Sequence, residues 1–201
     1  MRFFAHTHPD SPNDPSKWEA LFTPFGNGAG ECQRETCSMC HNMDADHGHL
    51  NKVAYWSARF ASEMFLKDSS EAKSAHQWGY ITGLWHDLGK FAPDWQNYLA
   101  KASDTHYDEI IEKIDHTTAG AKYAISKSPI GHFIATAIAG HHAGLLDARH
   151  ESHASLEKRL NKSFGEEIPN ISVPPEITEL DLPTLPDFLK QKDPGFSASF
   201  F

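Results

Sequence analysis

From residue 49 onward, apolar side chains recur three and four positions apart. Leu50, Val53, Ala54, Ala58, Ala61, Met64 and Phe65 draw one stripe along about four helical turns. Ala75, Trp78, Ile81, Trp85 and Leu88 draw a second, predicting a helix over 71–88 with Gly89 in the C-cap position. Pro93 suits the first turn of a short helix carrying Trp95, Tyr98 and Leu99. A fourth helix is predicted from Asp115 to Ser126. A fifth follows Pro129, with Ile130, Phe133, Ile134, Ala137 and Ile138 as its apolar positions and Gly140 at its close. Ser152 to Lys162 predicts a sixth. Alternating patterns of the strand type are almost absent.

The flanks read differently. Residues 1–48 are broken by Pro9, Pro12, Pro15, Pro24, Gly26, Gly28 and Gly30, which predicts an irregular segment. Six of the 12 prolines fall between Pro169 and Pro194, so 163–201 is expected to be loop-rich, with one short helix near Asp187 to Gln191. The expectation is one mainly α domain over 1–201. It comprises an irregular N-terminal segment with a Cys-rich insertion (1–48), a helical core (49–162) and a proline-rich tail (163–201).

Composition narrows the class. A chain of 201 residues with 39% hydrophobic side chains can bury a core, so disorder is excluded. No apolar run approaches the roughly 20 residues of a membrane span. No export signal is visible and the cysteine count is odd, so a reducing cytoplasm is expected. The net charge of −9 argues against a free-standing nucleic-acid binder, because phosphate contacts need cations. Bound divalent metals would reverse that sign locally. The outlying count is 14 histidines, which points to metal or proton chemistry.

Position gives the histidines meaning. His86-Asp87 ends an apolar helix inside WHDLGKF. His141-His142 follows another, bracketed by Gly140 and Gly144. His116 sits at a helix start beside Asp115, and His49 heads the first helix. Each alone has a plainer reading: a solvated helix end, one buried and one exposed histidine, an N-cap, a packed histidine. Together, five histidines and an aspartate at the ends of apolar helices are how bundles assemble metal sites. Imidazole and carboxylate donors suit first-row transition metals, and one carboxylate among many histidines suits a bridged pair of ions. Such pairs hydrolyse phosphoesters.

The order His49 … His86-Asp87 … His116 … His141-His142 resembles the HD superfamily of metal-dependent phosphohydrolases. More narrowly, it resembles the HD nuclease domain of type I CRISPR helicase-nucleases. The phrases HLNKVAYWSARFA, GLWHDLGKFAPDWQNYL, DHTTAGAKYA and AGHHAGLLD carry the likeness over about 49–162, with FFAHT near the start. The resemblance implies an HD helical bundle that cuts single-stranded DNA in antiviral defence. Its partners would be a helicase domain or subunit and a CRISPR surveillance complex. It implies that His49, His86 and Asp87 hold one metal and that Asp87, His116, His141 and His142 hold a second. The ions would be Mn, Ni, Co, Fe or Mg. It further implies catalytic roles for His86, Asp87 and Lys90. Lys90 would steady either the scissile phosphate or the Asp87 carboxylate, with a solvated lysine as the alternative. Thr117 would donate a hydrogen bond to the strand.

Two departures stand out. The family carries a further ligand aspartate on a helix beyond the tail, and no aspartate from 181 to 193 has that setting. The first metal position is therefore expected to be one ligand short, in a chain that is a piece of a longer one. No G-x-x-x-x-G-K-[ST] motif is present, so the helicase is expected elsewhere. Cys32, Cys37, Cys40 and His41 form a candidate structural zinc set, with His47, His6 or His8 as alternative fourth ligands and unpaired thiols as the other reading. Two other functions remain open: an HD phosphohydrolase acting on small nucleotides, and a non-catalytic docking module.

Overall fold

The computed structural model describes residues 2–24, 48–104, 114–144, 146, 155–161 and 172–185. The cysteines, His41 and His47 lie outside the described residues, as does the short helix expected near Asp187 to Gln191.

The chain opens with a small antiparallel pair, β1 (Phe4–His6) and β2 (Glu19–Ala20), with a 3-10 turn at Pro15–Lys17 between them. A small sheet thus lies within the segment expected to be irregular. Strands of three and two residues are too short for alternation to register in sequence. Then come α1 (His49–Glu63), α2 (Ser70–Trp85), a 3-10 turn (Leu88–Phe91), α3 (Pro93–Ala102) and α4 (Thr117–Lys127). A third 3-10 turn (Pro129–Gly131), α5 (His132–Gly140), α6 (Leu156–Leu160) and α7 (Pro175–Thr178) follow. The fold is a mainly α bundle with one two-stranded accessory sheet among the described residues.

The helices α1 and α2 make the most extensive pairing. Gly83 permits it: a Cβ there would lie 2.5 Å from the Ala54 Cα, so only a glycine lets the two backbones meet. Their apolar stripes close on α4 and α5 around Leu50, Ala54, Trp78, Ile81, Leu84, Trp85, Ala121, Ala124, Ile134 and Ile138. Trp85 is wholly buried and donates its indole N–H to the Ile177 carbonyl at 3.1 Å. Tyr123 donates to the Thr178 carbonyl at 2.8 Å. Residues 172–185 of the expected loose tail are thus anchored on the core, and α7 was not foreseen. A single buried Ile177 among prolines offers no periodicity to read.

Three boundaries also differ. The helix expected to reach Leu88 ends at Trp85, and Leu88 to Phe91 continue as a tighter 3-10 turn. The apolar stripe overshoots because Leu88, Gly89, Lys90 and Phe91 stay buried after the helix has stopped. Gly89 is therefore not a C-cap. The 3-10 turn at Pro129–Gly131 delays α5 to His132, and its Ser128 hydroxyl caps that turn. Ser155 is extended and caps α6, so the helix expected from Ser152 begins at Leu156.

Candidate metal centre

Every histidine of the constellation sits at a helix end. His49 opens α1. His86 and Asp87 follow the last residue of α2. His116 precedes α4, and His141 and His142 follow α5. Ends are where the backbone changes direction, so side chains from four helices can converge on one point.

Close approach of α4 to the end of α2 makes this possible. A Cβ on Gly120 would lie 1.9 Å from the Trp85 carbonyl oxygen, and one on Gly89 would lie 2.4 Å from the His116 carbonyl oxygen. Neither position tolerates a side chain, and the contact brings His116 beside Asp87. Asp115 holds the start of α4. Its Oδ1 accepts from the Thr117 and Thr118 amides at 3.0 and 3.2 Å, and its Oδ2 accepts from the Thr118 hydroxyl at 2.8 Å. Asp115 therefore caps the helix while His116 faces the cluster.

Asp87 is the centre, and it is buried. Its Oδ2 lies 3.2 Å from His49 Nε2, 3.1 Å from His86 Nε2 and 2.9 Å from Lys90 Nζ. Its Oδ1 lies 3.3 Å from His116 Nε2 and 3.2 Å from His141 Nε2. His142 Nε2 approaches His116 Nε2 at 3.0 Å. Donor atoms of His49, His86 and Asp87 fall within 4.8 Å of one another, as do those of Asp87, His116, His141 and His142. All six expected ligands are brought together in two sets that share Asp87.

Ring orientation tests whether these residues suit a metal. His86 Nδ1 is 2.7 Å from the Gly83 carbonyl and His141 Nδ1 is 2.7 Å from the Ile138 carbonyl. Carbonyls only accept, so both Nδ1 atoms carry a proton. In a neutral ring Nε2 is then a bare lone pair, and in both rings it faces a carboxylate oxygen. Two lone pairs at about 3 Å repel unless a proton or a cation joins them. Asp87 Oδ1, moreover, is buried with no hydrogen-bond donor among the described residues. Bare imidazole nitrogens around an unsatisfied carboxylate fit divalent cations.

The electrostatics agree. Burial alone would raise the Asp87 pKa, but His141, His49 and His86 outweigh it and hold the carboxylate ionised far below the usual range. Burial pushes His116 down to about 4, with help from Lys90 and His142, so its ring is neutral. Burial also opposes charge on His49, yet Asp87 and Glu19 overcome it and raise its pKa.

Lys90 is buried rather than solvated. Besides Asp87 it reaches the Ala5 carbonyl at 3.4 Å, and it lies 5.3 Å over the Trp95 ring. Thr117 is buried too, with its hydroxyl committed to Asp115 Oδ1 at 3.1 Å. Two further neighbours flank His49, and one of them escaped the sequence reading. Glu19 Oε2 stands 3.6 Å from His49 Nδ1, while its other oxygen pairs with Lys52 at 3.0 Å. Burial opposes charge on Glu19, but His49 and Lys52 hold its pKa near 2, which places a carboxylate behind that imidazole. His6 packs edge-on against His49 at 4.7 Å between ring centres, with Lys90 Nζ 3.5 Å from its Nε2. His6 was visible in FFAHT. Nothing marked Glu19.

The family model described as Cas3, HD domain matches residues 36–193, well over half of the chain. No curated protein matches it.

Proposed function

The chain belongs to the Cas3 HD-domain family, and from that premise we propose that it cuts phosphodiester bonds of single-stranded DNA with two divalent cations bound around Asp87. The family implies a metal-dependent HD-type phosphohydrolase or nuclease in a CRISPR setting. One observation carries the reading: each oxygen of a buried carboxylate faces its own set of imidazole nitrogens.

His49, His86 and Asp87 would hold one cation, and Asp87, His116, His141 and His142 the other. Bound there, Mn, Ni, Co, Fe or Mg supplies an activated water and positive charge at the scissile phosphate. The chain's own residues do the rest. Asp87 stays ionised, and Lys90 balances part of its charge while fixing its Oδ2. The carbonyls of Gly83 and Ile138 aim His86 and His141. His141 and His142 are exposed, so the strand enters from their side.

A net charge of −9 suits a domain that is handed its strand. A helicase domain or subunit, recruited by a surveillance complex, would deliver it. No helix among the described residues is long and apolar enough to cross a membrane.

The test is cleavage of circular single-stranded DNA with Mn²⁺, comparing wild type with His86→Ala and Asp87→Ala. Cleavage by wild type and its loss in both variants is expected. Persistent cleavage by Asp87→Ala sinks the reading. Hydrolysis of nucleotides with no DNA cleavage would replace it with a small-nucleotide phosphohydrolase. Neither activity would leave a docking module.

A further inference from the structure

The helix α5 ends beside the site, and its last carbonyls need partners. Ile138 O takes the His141 ring at 2.7 Å. Gly140 O takes the Ala143 and Gly144 amides at 2.8 and 2.7 Å. With the Ala143 amide turned to Gly140, Ala139 O needs a donor from elsewhere. It comes from other helices: the Thr117 hydroxyl of α4 reaches Ala139 O only at 3.5 Å, and Arg159 of α6 donates to it from Nη1 at 2.9 Å. The same nitrogen reaches Thr117 Oγ1, on the first residue of α4, at 3.4 Å. A guanidinium at a helix C-terminus also complements the helix dipole. Its base is firm, because Ser155 caps α6 and is buried, and Leu156 belongs to the core.

We propose that Arg159 is a positioning residue for the second metal position: by tying the end of α5 to the start of α4, it sets the spacing of His141 and His142 from His116. His116 lies one residue before Thr117, and His141 lies two after Ala139. Arg159 therefore holds the hydroxyl of the residue after His116 and the carbonyl two residues before His141. Its effect falls on Oδ1 of Asp87 and leaves the His49 and His86 side alone. The inference rests on the two-cation reading above.

The test is calorimetric titration of Mn²⁺ into the metal-free chain, comparing wild type, Arg159→Met and Arg159→Lys. The step belonging to the second position is identified as the one His142→Ala weakens. In Arg159→Met that step weakens about 10- to 100-fold, the usual cost of losing an orienting partner, and the other step stays within a factor of two. Arg159→Lys, which keeps the charge and one donor, recovers part of the loss. Melting of the metal-free variants guards against a folding artefact. If Arg159→Met fails to fold, the lysine variant carries the comparison, with a smaller, still one-sided loss. Equal weakening of both steps, or weakening of neither, overturns the inference alone. Wild type that takes up no ion overturns the two-cation reading, and this inference with it.

Discussion

The two oxygens of Asp87 look onto differently built surroundings. Oδ2 meets His49, His86 and the ammonium of a buried Lys90 at 2.9 Å. Oδ1 meets His116 and His141, with His142 close behind, and has no hydrogen-bond donor among the described residues. The first side already holds one fixed positive charge and a histidine whose pKa is raised. The second holds a histidine whose pKa is pushed down to about 4. A shared carboxylate therefore does not make two equal positions. A fixed ammonium opposes an incoming cation on the same oxygen, and neutral rings do not. The Oδ1 side should take up the first ion.

The largest expected effect comes from removing what the sides share. Asp87→Ala should abolish uptake at both positions and slow DNA cleavage by about a thousandfold or more, since charge stabilisation at the phosphate is lost entirely. Calorimetry and cleavage rates on one preparation check both. A variant that still takes up two ions would show that the histidines suffice without the bridge. Next in size are changes confined to one side. His142→Ala should weaken the tighter Mn²⁺ step about 10- to 100-fold, and His49→Ala the looser one by a similar factor. If His49→Ala instead removes the tighter step, the ranking of the two sides is reversed.

How much of this was written in the sequence depends on the kind of information. The helices α1 to α5 are legible because their apolar stripes repeat with helical spacing. The six ligands are legible because each stands at the end of such a stripe, which turns a lone histidine into a placed one. What is not legible is set by contacts distant in sequence. Lys90 stays open between a partner of Asp87 and a solvated residue until its ammonium is found buried, against the Ala5 carbonyl and over the Trp95 ring. Glu19 stands 30 residues before the histidine it supports, in a two-residue strand with no pattern of its own. Gly120 looks like an ordinary small residue and Gly89 like a helix C-cap until Trp85 and His116 are seen against them. The inequality of the two sides has no local signature, because it arises from one ammonium reaching one oxygen rather than the other.

That ammonium supplies a sharper test. Lys90→Met keeps the apolar stem and removes the charge. The looser Mn²⁺ step should tighten about tenfold, since a like charge no longer opposes the ion at Oδ2. The tighter step should change much less. Cleavage should still slow, because Asp87 loses the contact that fixes its Oδ2. Unchanged affinities in both steps would falsify the electrostatic origin of the asymmetry. Stability of the metal-free variant belongs in the same experiment, because the change leaves the buried carboxylate with one partner fewer.

Protons give the mildest perturbation and separate the sides without a substitution. An imidazole must lose its proton before it can ligate. His49, whose pKa Asp87 and Glu19 raise against the effect of burial, keeps its proton to a higher pH than a free imidazole does. His116, with its pKa lowered to about 4 by burial, holds none there. Lowering the pH from about 8 to about 6 should therefore weaken the looser step several-fold, by at most about tenfold per pH unit for one proton released. The His116 ring leaves the tighter step nearly flat over that range, until acid approaches its own lowered pKa. The sign follows from which ring competes: a raised pKa starts proton competition at higher pH, and a lowered one defers it to acid. Calorimetry at the two pH values reads both steps directly. Parallel weakening of the two would mean that proton competition does not distinguish the sides, and that Lys90 alone separates them.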